Sequence, residues 1–208
     1  MPDLVDRSVK TFPIIPESAT PGDALAICGS DLLAVVVDRS GLPVSLAMRR
    51  DLELVQVRGV GNLADPAAGL PLSVRTHENA TLSELFSYNI LPAFAVGARG
   101  AILVSDQQHA VGVLSLDEIL RCLTDEQSTT PSKRGLFRAF TDYLLSRDPI
   151  LKIDLLSGIL PLCGGSRETE ILVRCPQCGC LNRLAYLDPN ALPACQSPHE
   201  PGHQLTLP

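Results

Sequence analysis

The feature that most constrains this chain is an internal duplication. Residues Gly100–Leu123, GAILVSDQQHAVGVLSLDEILRCL, hold an apolar run from Ala101 to Val104, a polar turn, and a second apolar run from Ala110 to Leu114. After Ser115 the spacing changes. Leu116, Ile119, Leu120 and Leu123 fall at i, i+3, i+4 and i+7, one face of a helix. The pattern predicts strand, tight turn, strand, helix. The same unit stands earlier at Leu32–Leu54, where Val35-Val36-Val37-Asp38 matches Leu103-Val104-Ser105-Asp106 and Val44-Ser45-Leu46 matches Val111-Gly112-Val113. Asp51 then matches Glu118, 67 residues on, whereas Ala19-Thr20 matches Ala80-Thr81 at an offset of only 61. The first copy is therefore shorter by six or seven residues, most simply in its first helix. Two copies of strand–helix–strand–strand–helix make one repeated α+β domain.

Local signals place the remaining elements. Phe12–Ile15 is a candidate first strand, and Thr20-Pro21 reads as an N-cap with proline at the first helical position. Leu32–Val37 is a continuous apolar run, as a strand covered on both faces requires. Gly59–Gly69 links the copies. Thr81-Leu82-Ser83-Glu84 has the form of a capping box, with Leu82, Leu85, Phe86 and Ile90 as its apolar stripe and Pro92 ending or kinking the helix. After a linker at Asp125–Lys133, Leu136, Phe137, Phe140, Tyr143 and Leu144 make a further amphipathic helix, which packs back on the pair or docks elsewhere. Residues 149–165 are apolar and carry no assignable role.

The duplicated region, residues 12–126, resembles the paired cystathionine-β-synthase (CBS) domain, or Bateman module, with copies at 12–58 and 70–126. The mark of that family is Gly, an apolar residue, any residue, Thr/Ser, two residues, then Asp. Gly112-Val113-Leu114-Ser115-Leu116-Asp117-Glu118 fits it except that Glu118 replaces the Asp. In Ser45-Leu46-Ala47-Met48-Arg49-Arg50-Asp51 only the Asp is kept. The resemblance implies two pseudo-symmetric halves, frequent homodimers, and adenosyl nucleotides bound in clefts between the halves. Asp51 and Glu118 would then hold ribose hydroxyls and Ser115 would contact phosphate, with Arg49, Arg50 or Arg121 balancing its charge. The bland alternative is that both acids cap or decorate their helices.

Composition narrows the classes. The chain has 208 residues, 45% hydrophobic and 19% charged, which describes a folded protein. With a net charge of −6, its basic runs do not exceed Arg49-Arg50 and Lys133-Arg134, which argues against a nucleic-acid footprint. The first residues, MPDLVDRSVKTFPIIP, are charged and broken by proline, unlike a signal peptide, and no apolar run is long enough to span a membrane. The expectation is a soluble cytoplasmic protein. His77, His109, His199 and His203 form no recognisable nucleophile–base pairing and no glycine-rich phosphate loop exists, so an enzyme is not expected.

The tail carries the sharpest chemistry. Cys28, Cys122 and Cys163 are scattered among apolar neighbours, but Cys175, Cys178, Cys180 and Cys195 cluster. Glu168–Tyr186 reads as a strand, a Cys-Pro-Gln-Cys-Gly knuckle and a returning strand; Cys195, His199, His203 and a short strand Gln204–Leu207 follow. Cys-x2-Cys with this spacer to a second ligand pair is zinc spacing, and residues 166–208 resemble a zinc ribbon. The expected ligands of Zn2+ are Cys175, Cys178, Cys195 and His203. His203 is favoured because it directly precedes the last strand, with His199 the alternative and Cys180 a bystander. Four soft ligands without a His-Glu pair point to a closed, structural site. Two functions remain: a non-catalytic sensor that binds an adenosyl nucleotide and signals to a protein partner through the helix and the ribbon, or a scaffold of the same parts without a ligand.

Overall fold

The computed structural model describes residues 4–29, 33–81, 85, 91–127, 169–185, 187–188, 191–199 and 202–207. The first copy begins with strand β1 (Ile14–Pro16) and helix α2 (Pro21–Ile27), preceded by a single turn, α1 (Leu4–Arg7). Helix α2 starts where the sequence requires: the Thr20 hydroxyl accepts the Asp23 N–H, and Pro21 opens the first turn. Strands β2 (Leu33–Val37) and β3 (Pro43–Met48) follow, then helix α3 (Arg49–Arg58). The second copy repeats the order with β4 (Ser73–His77), α4 (Leu91–Ala95), β5 (Gly100–Val104), β6 (Ala110–Ser115) and α5 (Leu116–Gln127).

The duplication extends to register. β1 runs parallel to β2 and β2 antiparallel to β3; β4 runs parallel to β5 and β5 antiparallel to β6. Leu33 faces Met48 as Gly100 faces Ser115, each 67 residues on, and both hairpins shift register at the same place, after Val36 and after Leu103. Val36 is thus the structural twin of Leu103. The sequence comparison of Val35–Asp38 with Leu103–Asp106 is one residue out of step, because it aligned two aspartates that occupy successive positions of the turn. Ile14 pairs with Val35 as Arg75 pairs with Ile102, so the first strands are offset by 61. The shortening of the first copy lies between its first two strands.

Period-two alternation sorts the side chains of these strands into different cores. Val36 joins Ile15, Leu52, Val55 and Leu63 in the core of the first copy. Leu103 joins Val74, Leu85, Phe94 and Ile119 in that of the second. The intervening residues, Val35, Leu46, Ile102, Val104 and Val113, form a third cluster where the two copies meet. Both faces of β2 and β5 are therefore buried, which explains their unbroken apolar runs.

The tail does not stand apart. Strand β7 (Thr169–Arg174) pairs antiparallel with β4, and β8 (Leu181–Leu184) pairs with β7, so the second sheet has the order β6-β5-β4-β7-β8. Buried Arg75 on β4 donates to Glu170 on β7 across this junction, and the hydroxyls of Thr76 and Thr169 meet at 2.9 Å. At the opposite edge Val9 exchanges both backbone hydrogen bonds with Val113, so the polar lead-in covers β6.

One local expectation needs correction. Gln204–Leu207 forms no strand; Gln204 makes one antiparallel bridge to Ala194, because cysteine and proline punctuation leaves too little regular backbone to extend it. Pro92 stands in the first turn of α4 as described, where its carbonyl accepts the Val96 N–H at 3.1 Å; the segment that it was expected to end or kink lies outside the described residues. The amphipathic pattern at Leu136–Leu144, the apolar residues 149–165, and Leu82, Ser83, Glu84, Phe86 and Ile90 lie outside the described residues.

Candidate functional site

The tail hairpin assembles the first pair of candidate ligands. Cys175 directly follows β7, and its N–H donates to the Cys180 carbonyl at 2.9 Å. Gly179 takes φ +73°, a left-handed conformation that costs glycine little, and returns its N–H to the Cys175 carbonyl at 2.9 Å. That closed turn sets Cys178 beside Cys175. The second pair is aligned by backbone pairing: the Cys195 N–H donates to the His203 carbonyl at 2.9 Å and the Leu205 N–H to the Pro193 carbonyl at 3.0 Å.

The four ligand atoms of Cys175, Cys178, Cys195 and His203 lie within 4.8 Å of one another. Cys175 Sγ is 3.3 Å from His203 Nε2, and Cys178 Sγ is 3.6 Å from Cys195 Sγ. A tetrahedral ion with metal–sulfur bonds of about 2.3 Å sets its sulfur ligands about 3.8 Å apart. Donor type, number and spacing therefore fit a zinc-sized cation. Exposed His199 is not in this group, and neither is Cys180, whose thiol faces the Leu181 carbonyl.

Asn182 supports the cluster, a role that alternation on β8 alone does not reveal. It is fully buried; its Nδ2 reaches the Cys180 carbonyl at 3.0 Å and Cys195 Sγ at 3.6 Å, while its Oδ1 accepts the Gln196 N–H at 2.7 Å. One amide thus holds both arms of the site, as partners behind the ligands of metal centres do. Burial pushes the Cys195 thiol up to about 11, against opposing hydrogen bonds from Asn182 and Ser197. Burial also raises Cys175, but the backbone amides of Cys178 and Gln177, with the neighbouring thiols, bring it below the ordinary value.

The residues expected to face a nucleotide sit at two helix N-termini. Asp51, in the first turn of α3, accepts the Met48 N–H at 2.9 Å, half of a capping box. It also receives Arg99 through Nε at 3.1 Å and Nη2 at 2.6 Å. Its side chain is only 5% exposed, so both carboxylate oxygens are engaged within the protein. Arg99 lies just before β5 of the other copy, and no local sequence signal pairs it with Asp51. In the second copy the Ser115 hydroxyl accepts the Glu118 N–H at 3.1 Å and caps α5. Glu118 lies 3.8 Å from Arg7 and 3.6 Å from Arg121, with its side chain 27% exposed. Arg49, one of the arginines expected to balance a phosphate, pairs with Glu53 at 3.0 Å.

The class these observations define is a tandem β-α-β-β-α pair, with three cysteines and a histidine clustered on the tail that extends its second sheet. Solved structures similar to this chain include CBS-domain proteins. OpuCA of Staphylococcus aureus shares 20% identity at a TM-score of 0.44, over 59% of this chain and 98% of its own. A hemolysin-like protein containing a CBS domain, from Oenococcus oeni PSU, shares 13% at 0.44, over 58% and 88%. The CBS domain pair of protein MJ0100, in complex with 5′-methylthioadenosine and S-adenosyl-L-methionine, shares 14% at 0.43, over 58% and 98%. Likeness this loose says nothing of ligand. No protein-family model matches the chain, and no curated protein does. Among the described residues, no helix is long and apolar enough to cross a membrane.

Proposed function

We propose that this protein is a non-catalytic regulatory module, in which an adenosyl-type nucleotide binds in the cleft between the paired copies and Zn2+ closes the tail. The observation that carries the reading is the pair itself: two copies in matching register, meeting through Val35, Leu46, Ile102, Val104 and Val113. The second copy is the better equipped. Ser115 and Glu118 stand at the start of the 12-residue α5, the positive end of the helix dipole, and Glu118 keeps part of its carboxylate in solvent. Asp51 would have to release Arg99 to take a ribose. Cys175, Cys178, Cys195 and His203 would hold the ion, a closed set without an open position for substrate. The tail and the amphipathic sequence Leu136–Leu144 before it would then transmit occupancy to a protein partner, from a homodimeric state.

Calorimetric titration with ATP, ADP, AMP, cyclic dinucleotides and S-adenosylmethionine tests the nucleotide. Saturable heat is expected from at least one of them, weakened at least tenfold (about 1.4 kcal/mol) in Glu118→Ala, the scale of a lost charged hydrogen bond. No heat from any of them would remove the nucleotide from the account. A second reading, a scaffold that binds partners without a ligand, is favoured by one observation: the Asp51 carboxylate is already saturated by Met48 and Arg99. Elemental analysis tests the metal, with one zinc per chain expected and loss of it in Cys178→Ser.

A further inference from the structure

The metal knuckle is built against the first copy, although its strands belong to the sheet of the second. Arg174 is the hinge of this arrangement. It directly precedes Cys175; its Nη1 donates to the Gly179 carbonyl behind the knuckle at 3.0 Å, and its Nη2 donates to Glu17 of the first copy. Glu17 is itself fixed, its N–H donating to the Val37 carbonyl at 2.8 Å. Both side chains of the pair are largely buried, at 18% and 15% exposure. The knuckle also touches the inter-copy linker, where a Cβ placed on Gly179 would lie 2.9 Å from Pro66 Cγ. Beyond the knuckle, Leu181 packs against the core of the first copy, and Arg183 helps hold the Asp38 carboxyl down.

We infer that the tail is a metal-dependent clamp: the ion, by fixing the Cys175–Gly179 turn, fixes the grip of Arg174, Gly179 and Leu181 on the first copy. The inference rests on the metal reading proposed above and extends it to regulation of the pair. The turn carries the Gly179 carbonyl that orients one arm of Arg174. When the turn opens, the guanidinium loses that support, and Glu17 keeps a buried carboxylate with a poorly held partner. The geometry of the two copies, and of any cleft between them, would then follow metal occupancy without a ligand touching either site.

Hydrogen exchange on the full chain, with zinc content measured in the same samples, tests this. Removing zinc with a chelator should speed amide exchange at Ile14–Ile27 and Gly59–Gly69 roughly tenfold or more, the scale of one lost charge-assisted hydrogen bond. Readdition of zinc should restore protection, while the β5–β6 hairpin stays unchanged. Glu17→Gln, which leaves all four ligands intact, should keep one zinc per chain yet loosen the same two segments. A protein that binds and loses zinc with no change at Ile14–Ile27 and Gly59–Gly69 overturns the clamp and leaves the metal reading standing. A protein that holds no zinc overturns both.

Discussion

Asp51 shows how a side chain with a motif role can be claimed by its surroundings. Its carboxylate is buried, accepts the Met48 N–H and binds Arg99 of the other copy through two nitrogens. Asp51→Asn keeps the shape but removes the charge opposite Arg99, and should cost about 2 kcal/mol in a denaturant titration, as loss of a largely buried, hydrogen-bonded ion pair does. Asp38 makes a case for pH. Burial raises its carboxyl, but hydrogen bonds from the Ser40 hydroxyl, the Leu42 N–H and the Ser40 N–H, with Arg183, hold it below the ordinary 3.8. A carboxylate whose folded value is depressed adds stability above the ordinary value, and that stability is lost as pH falls through the folded one. Asp38→Asn should therefore flatten the acid limb of the stability profile below about pH 4 and leave its neutral region little changed in slope.

At the scale of elements, the critical joints are those where one copy meets another part. Leu46 is fully buried on β3 in the cluster between the copies, beside Val35, Ile102 and Val113. Leu46→Ala should cost about 3 kcal/mol, a transfer loss plus a cavity that two facing sheets cannot close, read from the unfolding midpoint. The Cys175–Gly179 turn is the second joint. Gly179→Ala would put a side chain into a left-handed conformation and against Pro66, and should lower stability by about 1–2 kcal/mol while weakening retention of the metal against a chelator.

For the whole molecule, the tail adds two strands to the second sheet and a set of grips to the first copy. Metal removal is therefore expected to act beyond residues 169–207: a chelator should lower the thermal midpoint of the full chain by several degrees or more, the response of a domain losing about 2 kcal/mol. A midpoint that ignores the chelator would show that the cluster is held by hydrogen bonds alone.

Much of this architecture can be read from residues in one dimension. Alternating and continuous apolar runs, a helix-spaced stripe after Ser115, Thr20-Pro21 and the paired offsets of 67 and 61 all express local backbone physics, and the strands, α2, α3, α5 and the duplication follow from them. Cysteine spacing similarly points to the three thiols that lie together, whereas His203, which lies with them, is favoured in the sequence by a following strand that does not form. What folding alone decided are the contacts between distant segments. Arg99 on Asp51, Arg75 on Glu170, Arg174 on Glu17 and β7 on β4 join residues 48, 95, 157 and about 95 positions apart. No periodicity encodes which charge meets which across such separations. The partners are chosen by the closed shape of two sheets packed together, where a buried charge must find its opposite or remain unpaired.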